Sequence, residues 1–126
     1  MDTKKVGEEE VLYRGITTNP TMWKSSENRP SSAAFKQTHS LSVDREGGRS
    51  FVEIKENLIK NISSNLKAVA YFSAKDCFYN HMTVRPDPVI NNPYHALIDD
   101  EGGVGVGKTS ARYLAKVCKF SVLSET

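Results

Sequence analysis

Two stretches of the chain carry residue types at spacings that chemistry can use. In the first, "DDEGGVGVGKTS", Gly102 is followed after four residues by Gly107, Lys108 and Thr109. That is the spacing of a loop whose backbone N–H groups and lysine cradle phosphates at the start of a helix. A nucleotide site asks for more than those letters: a strand that enters the loop, and an aspartate on a separate strand for magnesium. No upstream apolar run ends in such an aspartate, little chain follows Thr109 to supply further parallel strands, and Asp99, Asp100 and Glu101 would repel a triphosphate. The expectation is a glycine-rich lead-in to the last helix, with Gly107, Lys108 and Thr109 as a weak site for one phosphate or sulfate.

The second stretch, "NRPSSAAFKQTHSLSVDR", gathers Arg29, Ser31, Ser32, Asp44 and Arg45 around apolar Ala33, Ala34 and Phe35. An arginine before a proline has a restricted backbone, and a fixed guanidinium can clamp a carboxylate or phosphate with two parallel bonds. The plainer alternative is an arginine-to-aspartate bridge with the serines closing a turn. His95, in "PYHALI", is the histidine that could join this group as general acid or base. A serine hydrolase is disfavoured, because neither Ser31 nor Ser32 stands in the Gly-x-Ser-x-Gly turn that activates such a nucleophile. Arg14 in "LYRGI" fits the outline of an ADP-ribosyl-transferring toxin, but the paired acidic strand that chemistry requires is missing.

The elements that must position these residues follow from periodicity. Alternation marks strands at "EVLYRGI" and "SLSVDRE", and a short apolar run marks another at "LKAVAYFS". Ser50 with Glu53 forms a capping box ahead of Phe51, Ile54, Leu58, Ile59, Ile62 and Leu66 at three and four residue spacing, which predicts a helix over 51–62. "AKDCFYN" reads as one helical turn. Pro86, Pro88 and Pro93 restrict the next segment to short strands such as "MTVR" and "YHALI". Ala111, Leu114, Ala115 and Cys118 predict a last helix over 110–119, capped by Thr109 or Ser110, then an edge strand "FSVL". Residues 17–32, rich in Thr, Asn, Pro and Ser, read as a long loop anchored by Trp23. The sum is an α+β fold: a small mixed or antiparallel sheet with two main helices in one domain over 11–126, behind a flexible stretch over 1–10.

Composition limits the function classes. The chain has 126 residues, 38% of them apolar and 25% charged, with 17 basic against 15 acidic side chains interspersed. No single-sign field draws it to nucleic acid or membrane, and no apolar run approaches the roughly 20 residues of a membrane span. The N-terminus lacks the apolar core of a signal peptide, so a cytoplasmic location is expected. Cys77 and Cys118 lie in apolar surroundings and read as buried thiols; with His39, His81 and His95 far apart, neither a metal nor a cofactor is expected.

The blocks "RPSSAAF", "LSVDR" and "DPVINNPYHALI" together resemble a scattered set of small uncharacterised bacterial proteins in which they recur in this order. The resemblance spans residues 12–116 and implies a bacterial source and which positions matter, with no activity attached. The resulting expectation is a binding or interaction module that works with a protein partner, or with a phosphate or nucleic-acid ligand. The alternative is an enzyme acting on RNA or a nucleotide, with Arg29, Ser31, Ser32, Asp44, Arg45 and His95 in one cleft. An enzyme would place His95 within reach of the loop serines; a binding module would leave these side chains apart or bonded to other groups.

Overall fold

A computed structural model describes residues 4–62 and 65–123. Strand β1 (Val11–Thr17) pairs on one side with β4 (Leu41–Arg45) and on the other with β5 (Leu66–Ser73). Beyond β4 come β7 (His95–Asp100) and β6 (Met82–Pro86); beyond β5 comes β8 (Lys119–Val122). All pairings in this six-stranded sheet are antiparallel, in the order β6-β7-β4-β1-β5-β8. The architecture is α+β, with an antiparallel rather than a mixed sheet.

The two faces of the sheet are covered unequally. Alternation sends Leu12, Ile16, Leu41, Val43, Phe72, Ala96 and Ile98 to one face, all buried. There they meet Ala74 and Cys77 of α2 (Ala74–Phe78), Ala111 and Leu114 of α3 (Lys108–Val117), and Phe35. Phe35 packs edge-on against Phe72 at 6.1 Å. On the other face α1 (Phe51–Asn61) lays Ile54 and Leu58 over Tyr13 and Val69 of β1 and β5, leaving β4, β7 and β6 without a helix. The capping box at α1 forms as the sequence predicts: Ser50 Oγ accepts from the Glu53 N–H at 3.2 Å, and Glu53 Oε1 from the Ser50 N–H.

Four features differ from the sequence reading. Residues 17–32 are not an irregular loop: a single 3-10 turn (Pro20–Met22) leads into the hairpin of β2 (Trp23–Lys24) and β3 (Arg29–Pro30). Trp23 fixes this hairpin, its ring edge-on to Phe120 at 5.7 Å. The stretch expected to be flexible is docked from residue 4 on, since Val6 is buried and the Glu8 and Glu10 carbonyls accept from Lys75 and Ala74 at 3.0 and 2.8 Å; residues 1–3 lie outside the described residues. Ile59, placed by periodicity on the apolar face of α1, is half exposed. Finally, α3 starts at Lys108 rather than near 110. Neither Thr109 nor Ser110 caps it: Gly107 is the N-cap, and Asp100, seven residues upstream, accepts from the Gly107 N–H and from Ser110 Oγ.

Both cysteines are free and buried. Burial, with Asp76 nearby as the second cause, pushes the Cys77 thiol up to about 12. Among the described residues no helix is long and apolar enough to cross a membrane.

Candidate functional sites

The glycine loop follows β7. Asp99 is buried and accepts hydrogen bonds from Ser40 Oγ at 2.6 Å and the Gly105 N–H at 2.8 Å. Asp100 accepts from the Gly107 N–H at 2.9 Å and from Ser110 Oγ at 2.6 Å. A carboxylate of the protein thus stands where a phosphate would meet the start of α3. Gly105 holds a φ of 90°, and a Cβ there would run into the Gln37 carbonyl, so the loop is pinned against Gln37, which pairs with Val106. The acidic approach that looked hostile to a nucleotide is the framework of the loop. Gly107 spends its N–H inside the protein; Lys108 and Thr109 open the helix, with no hydrogen bond from either side chain among the described residues.

Arg29 reaches α3. Its Nη2 donates to the Ala115 carbonyl at 2.7 Å, with the Lys116 and Cys118 carbonyls at 3.4 Å, so the guanidinium caps the negative end of that helix. Ser31 Oγ donates to the Thr21 carbonyl, and Ser32 begins a 3-10 turn whose carbonyl accepts from Phe35 at 3.0 Å. Arg45 is buried and forms two bonds to Glu10, Nε to Oε2 at 2.5 Å and Nη2 to Oε1 at 2.8 Å. Arg14, on β1, donates to the Ala34 and Ser42 carbonyls at 2.7 and 2.9 Å; burial pushes its guanidinium down to about 10, still charged at neutral pH. These bonds are architectural.

Between the β2–β3 hairpin and α3 lies a cleft of about 520 Å³, walled by Lys24, Glu27, Arg29, Ser32, Arg112 and Lys116. Lys24 and Glu27 pair with each other at 2.5 Å. Arg112 and Lys116, one helical turn apart and exposed, take part in no ion pair among the described residues, so the unspent charge of the cleft is positive.

His95 and Asp44 meet elsewhere, on the sheet face that α1 leaves partly open. They are directly opposite in the β4–β7 register. Asp44 is buried; its Oδ1 accepts from Asn92 Nδ2 at 2.8 Å, and Arg49 Nη2 stands 3.5 Å from its Oδ2. Arg49 stacks over the Tyr94 ring at 3.9 Å, and Gly47, at φ 60°, has no Cβ to collide with that ring. His95 Nδ1 lies 3.0 Å from Asp87 Oδ2 and 3.1 Å from the Asp87 carbonyl. Asp87, absent from the sequence-level candidates, continues the register from Pro86 opposite Ala96, and its N–H donates to the His95 carbonyl at 2.8 Å. A proline on each side holds it extended. The signal that could have found it is that acid fixed between Pro86 and Pro88, one strand pairing from a histidine.

A pocket of about 230 Å³ opens here, with Ser42, Asp44, Asn92 and His95 on the sheet side and Leu58, Asn61 and Ile62 on the α1 side. The structure therefore joins Asp44 with His95 and places Arg29, Ser31 and Ser32 at the other cleft. No hydrogen bond links His95 to either serine among the described residues. Nor does any group of three or more His, Cys, Asp or Glu side chains there converge as metal ligands would. Comparison with family models, curated proteins and solved structures returns no match for this chain.

Proposed function

We propose that the protein is a binding module that takes an acidic segment of a partner protein in the cleft between the β2–β3 hairpin and α3. The observation that carries this reading is the unpaired charge of Arg112 and Lys116 beside the helix-bound Arg29, in a cleft large enough for several side chains. Arg29 is anchored through one terminal nitrogen, so it adds charge at little further cost in side-chain entropy. Carboxylates are favoured over single-stranded nucleic acid because no aromatic ring lines the cleft on which a base could stack. Trp23, the nearest ring in sequence, is engaged by Phe120 and by Lys67 Nζ, 4.8 Å from its centroid. The dispersal of Arg29, Ser31 and Arg45 into bonds with the protein's own backbone and Glu10 supports the same reading over an enzyme built from that set.

The test is a titration with a glutamate-rich peptide, an RNA oligonucleotide and inorganic phosphate, followed by amide chemical shifts. The expected result is peptide binding that weakens with salt and shifts residues 24–32 and 112–116. The double substitution Arg112→Glu with Lys116→Glu should abolish it. Peptide binding that survives the double substitution, or RNA binding tighter than the peptide, would overturn the proposal.

A further inference from the structure

We propose that the pocket beside α1 binds the vicinal diol of a ribose, with His95 and Asp44 as the two acceptors. This site is separate from the basic cleft and does not depend on the reading given for it.

Sheet register places a transverse row on one face: Asp87, His95, Asp44, Tyr13, Tyr71 and Lys119, each opposite the next on adjoining strands. The row divides in two. Tyr13 and Tyr71 lie beneath Phe51 of α1, with ring centroids 6.2 and 6.4 Å from it, and are consumed by packing. The other half, Asp44, His95 and Asp87, lies outside the apolar cluster under α1, and Asp44 and His95 line the pocket.

His95 and Asp44 each have one polar atom bonded and one without a hydrogen bond among the described residues. The Asp87 carboxylate and carbonyl both accept, so the ring nitrogen they share, Nδ1, is the donor; that leaves His95 Nε2 with a lone pair. Asp44 gives Oδ1 to Asn92, while Oδ2 is buried with no hydrogen-bond partner among the described residues. A buried carboxylate oxygen whose nearest donor, Arg49 Nη2, stands off at 3.5 Å keeps room for a better-placed one. Arg49 Nη1 is orphaned as well, a donor beside the same carboxylate.

The backbone sets the spacing. The Arg45 N–H bonds the Tyr94 carbonyl, while the His95 N–H and carbonyl turn to Asn92 and Asp87. Asp44 and His95 are therefore a non-hydrogen-bonded antiparallel pair, the closer kind, with Cα atoms about 4.5 Å apart. Two acceptors so near one another match two donors on neighbouring atoms of one ligand. At Asp44 no fixed positive charge on the ligand is called for, because its carboxylate already faces Arg49. Neighbouring hydroxyls fit: each donates once and keeps lone pairs for the Asn61 amide, while Leu58 and Ile62 meet the C–H face of the ring. A volume of about 230 Å³ sits below the roughly 300 Å³ at which drug-sized sites begin, which favours a ligand of sugar or nucleoside size.

The experiment titrates the intact protein with D-ribose, adenosine and 2′,3′-dideoxyadenosine, reading amide chemical shifts and heat. The proposal expects adenosine to shift the signals of Asp44, Asn92, His95 and Asn61, and dideoxyadenosine to leave them in place. Ribose alone as the tighter ligand would identify a free sugar as the source of the diol; adenosine as the tighter would identify a nucleoside. Asp87→Asn and His95→Gln should each weaken binding about tenfold, the loss of one well-placed hydrogen bond. Should a variant unfold, the wild-type panel still decides. No shift with ribose or adenosine, equal binding of dideoxyadenosine, or shifts confined to the Arg112 and Lys116 cleft would each overturn the proposal.

Discussion

The glycine loop of residues 101–107 and the turn between Pro86 and Tyr94 sit at opposite ends of β7 and use acidic side chains in opposite ways. At the loop, Asp99 and Asp100 spend their oxygens on Ser40, Ser110 and the N–H groups of Gly105 and Gly107. At the turn, Asp87 orients a histidine through Nδ1, and Asp44 keeps one buried oxygen that faces Arg49 without a hydrogen bond. Both sites concentrate charge. The difference teaches that an anion bonded to its own backbone is architecture, whereas unspent acceptors beside a pocket are available for a ligand.

Substitutions can break this contrast. The largest effect is expected from Gly105→Ala, where the left-handed backbone and the Gln37 carbonyl both oppose a Cβ; the loss should be about 3 kcal/mol in urea unfolding. Asp99→Ala strands the Gly105 N–H and Ser40 and should cost about 2 kcal/mol by the same measurement. Asp100→Ala removes the remote cap of α3 and should cost about 1 kcal/mol, with frayed amides at 108–110 in hydrogen exchange. If the loop were instead a ligand site, removing either acid would leave stability unchanged and create or strengthen phosphate binding. At the other end, Asp87→Asn should change stability by less than about 1 kcal/mol, since the side chain is partly exposed, while altering the tautomer signature of His95 in ring-nitrogen spectra. Smallest of all, Lys108→Ala should stay within about 0.5 kcal/mol of the wild type, and phosphate should bind neither protein.

The sequence was most informative where structure is local. Ser50 and Glu53 cap α1 as their spacing demands, and the run Leu66 to Ser73 is an internal strand because its neighbours on both sides need apolar faces. It was least informative where one side chain answers a backbone group far along the chain. Asp100 holds the start of α3 at Lys108, Arg29 ends that helix from 86 residues away, and the docked segment before β1 is held by the Glu10 bond to Arg45. Asp44 and His95 were both legible as candidates. Asp87 was not, because an acid between prolines has no meaning until register sets it opposite a histidine.

Periodicity, capping and turn residues alone determined the α+β class, most of the strands and both main helices, since each depends on neighbours within a few positions. The separation of Arg29 from His95, the union of His95 with Asp44 and Asp87, and the sign of the basic cleft were decided only by the tertiary structure. Those depend on which strands lie side by side and which face α1 covers, and antiparallel register is a relation between distant segments that no local pattern contains.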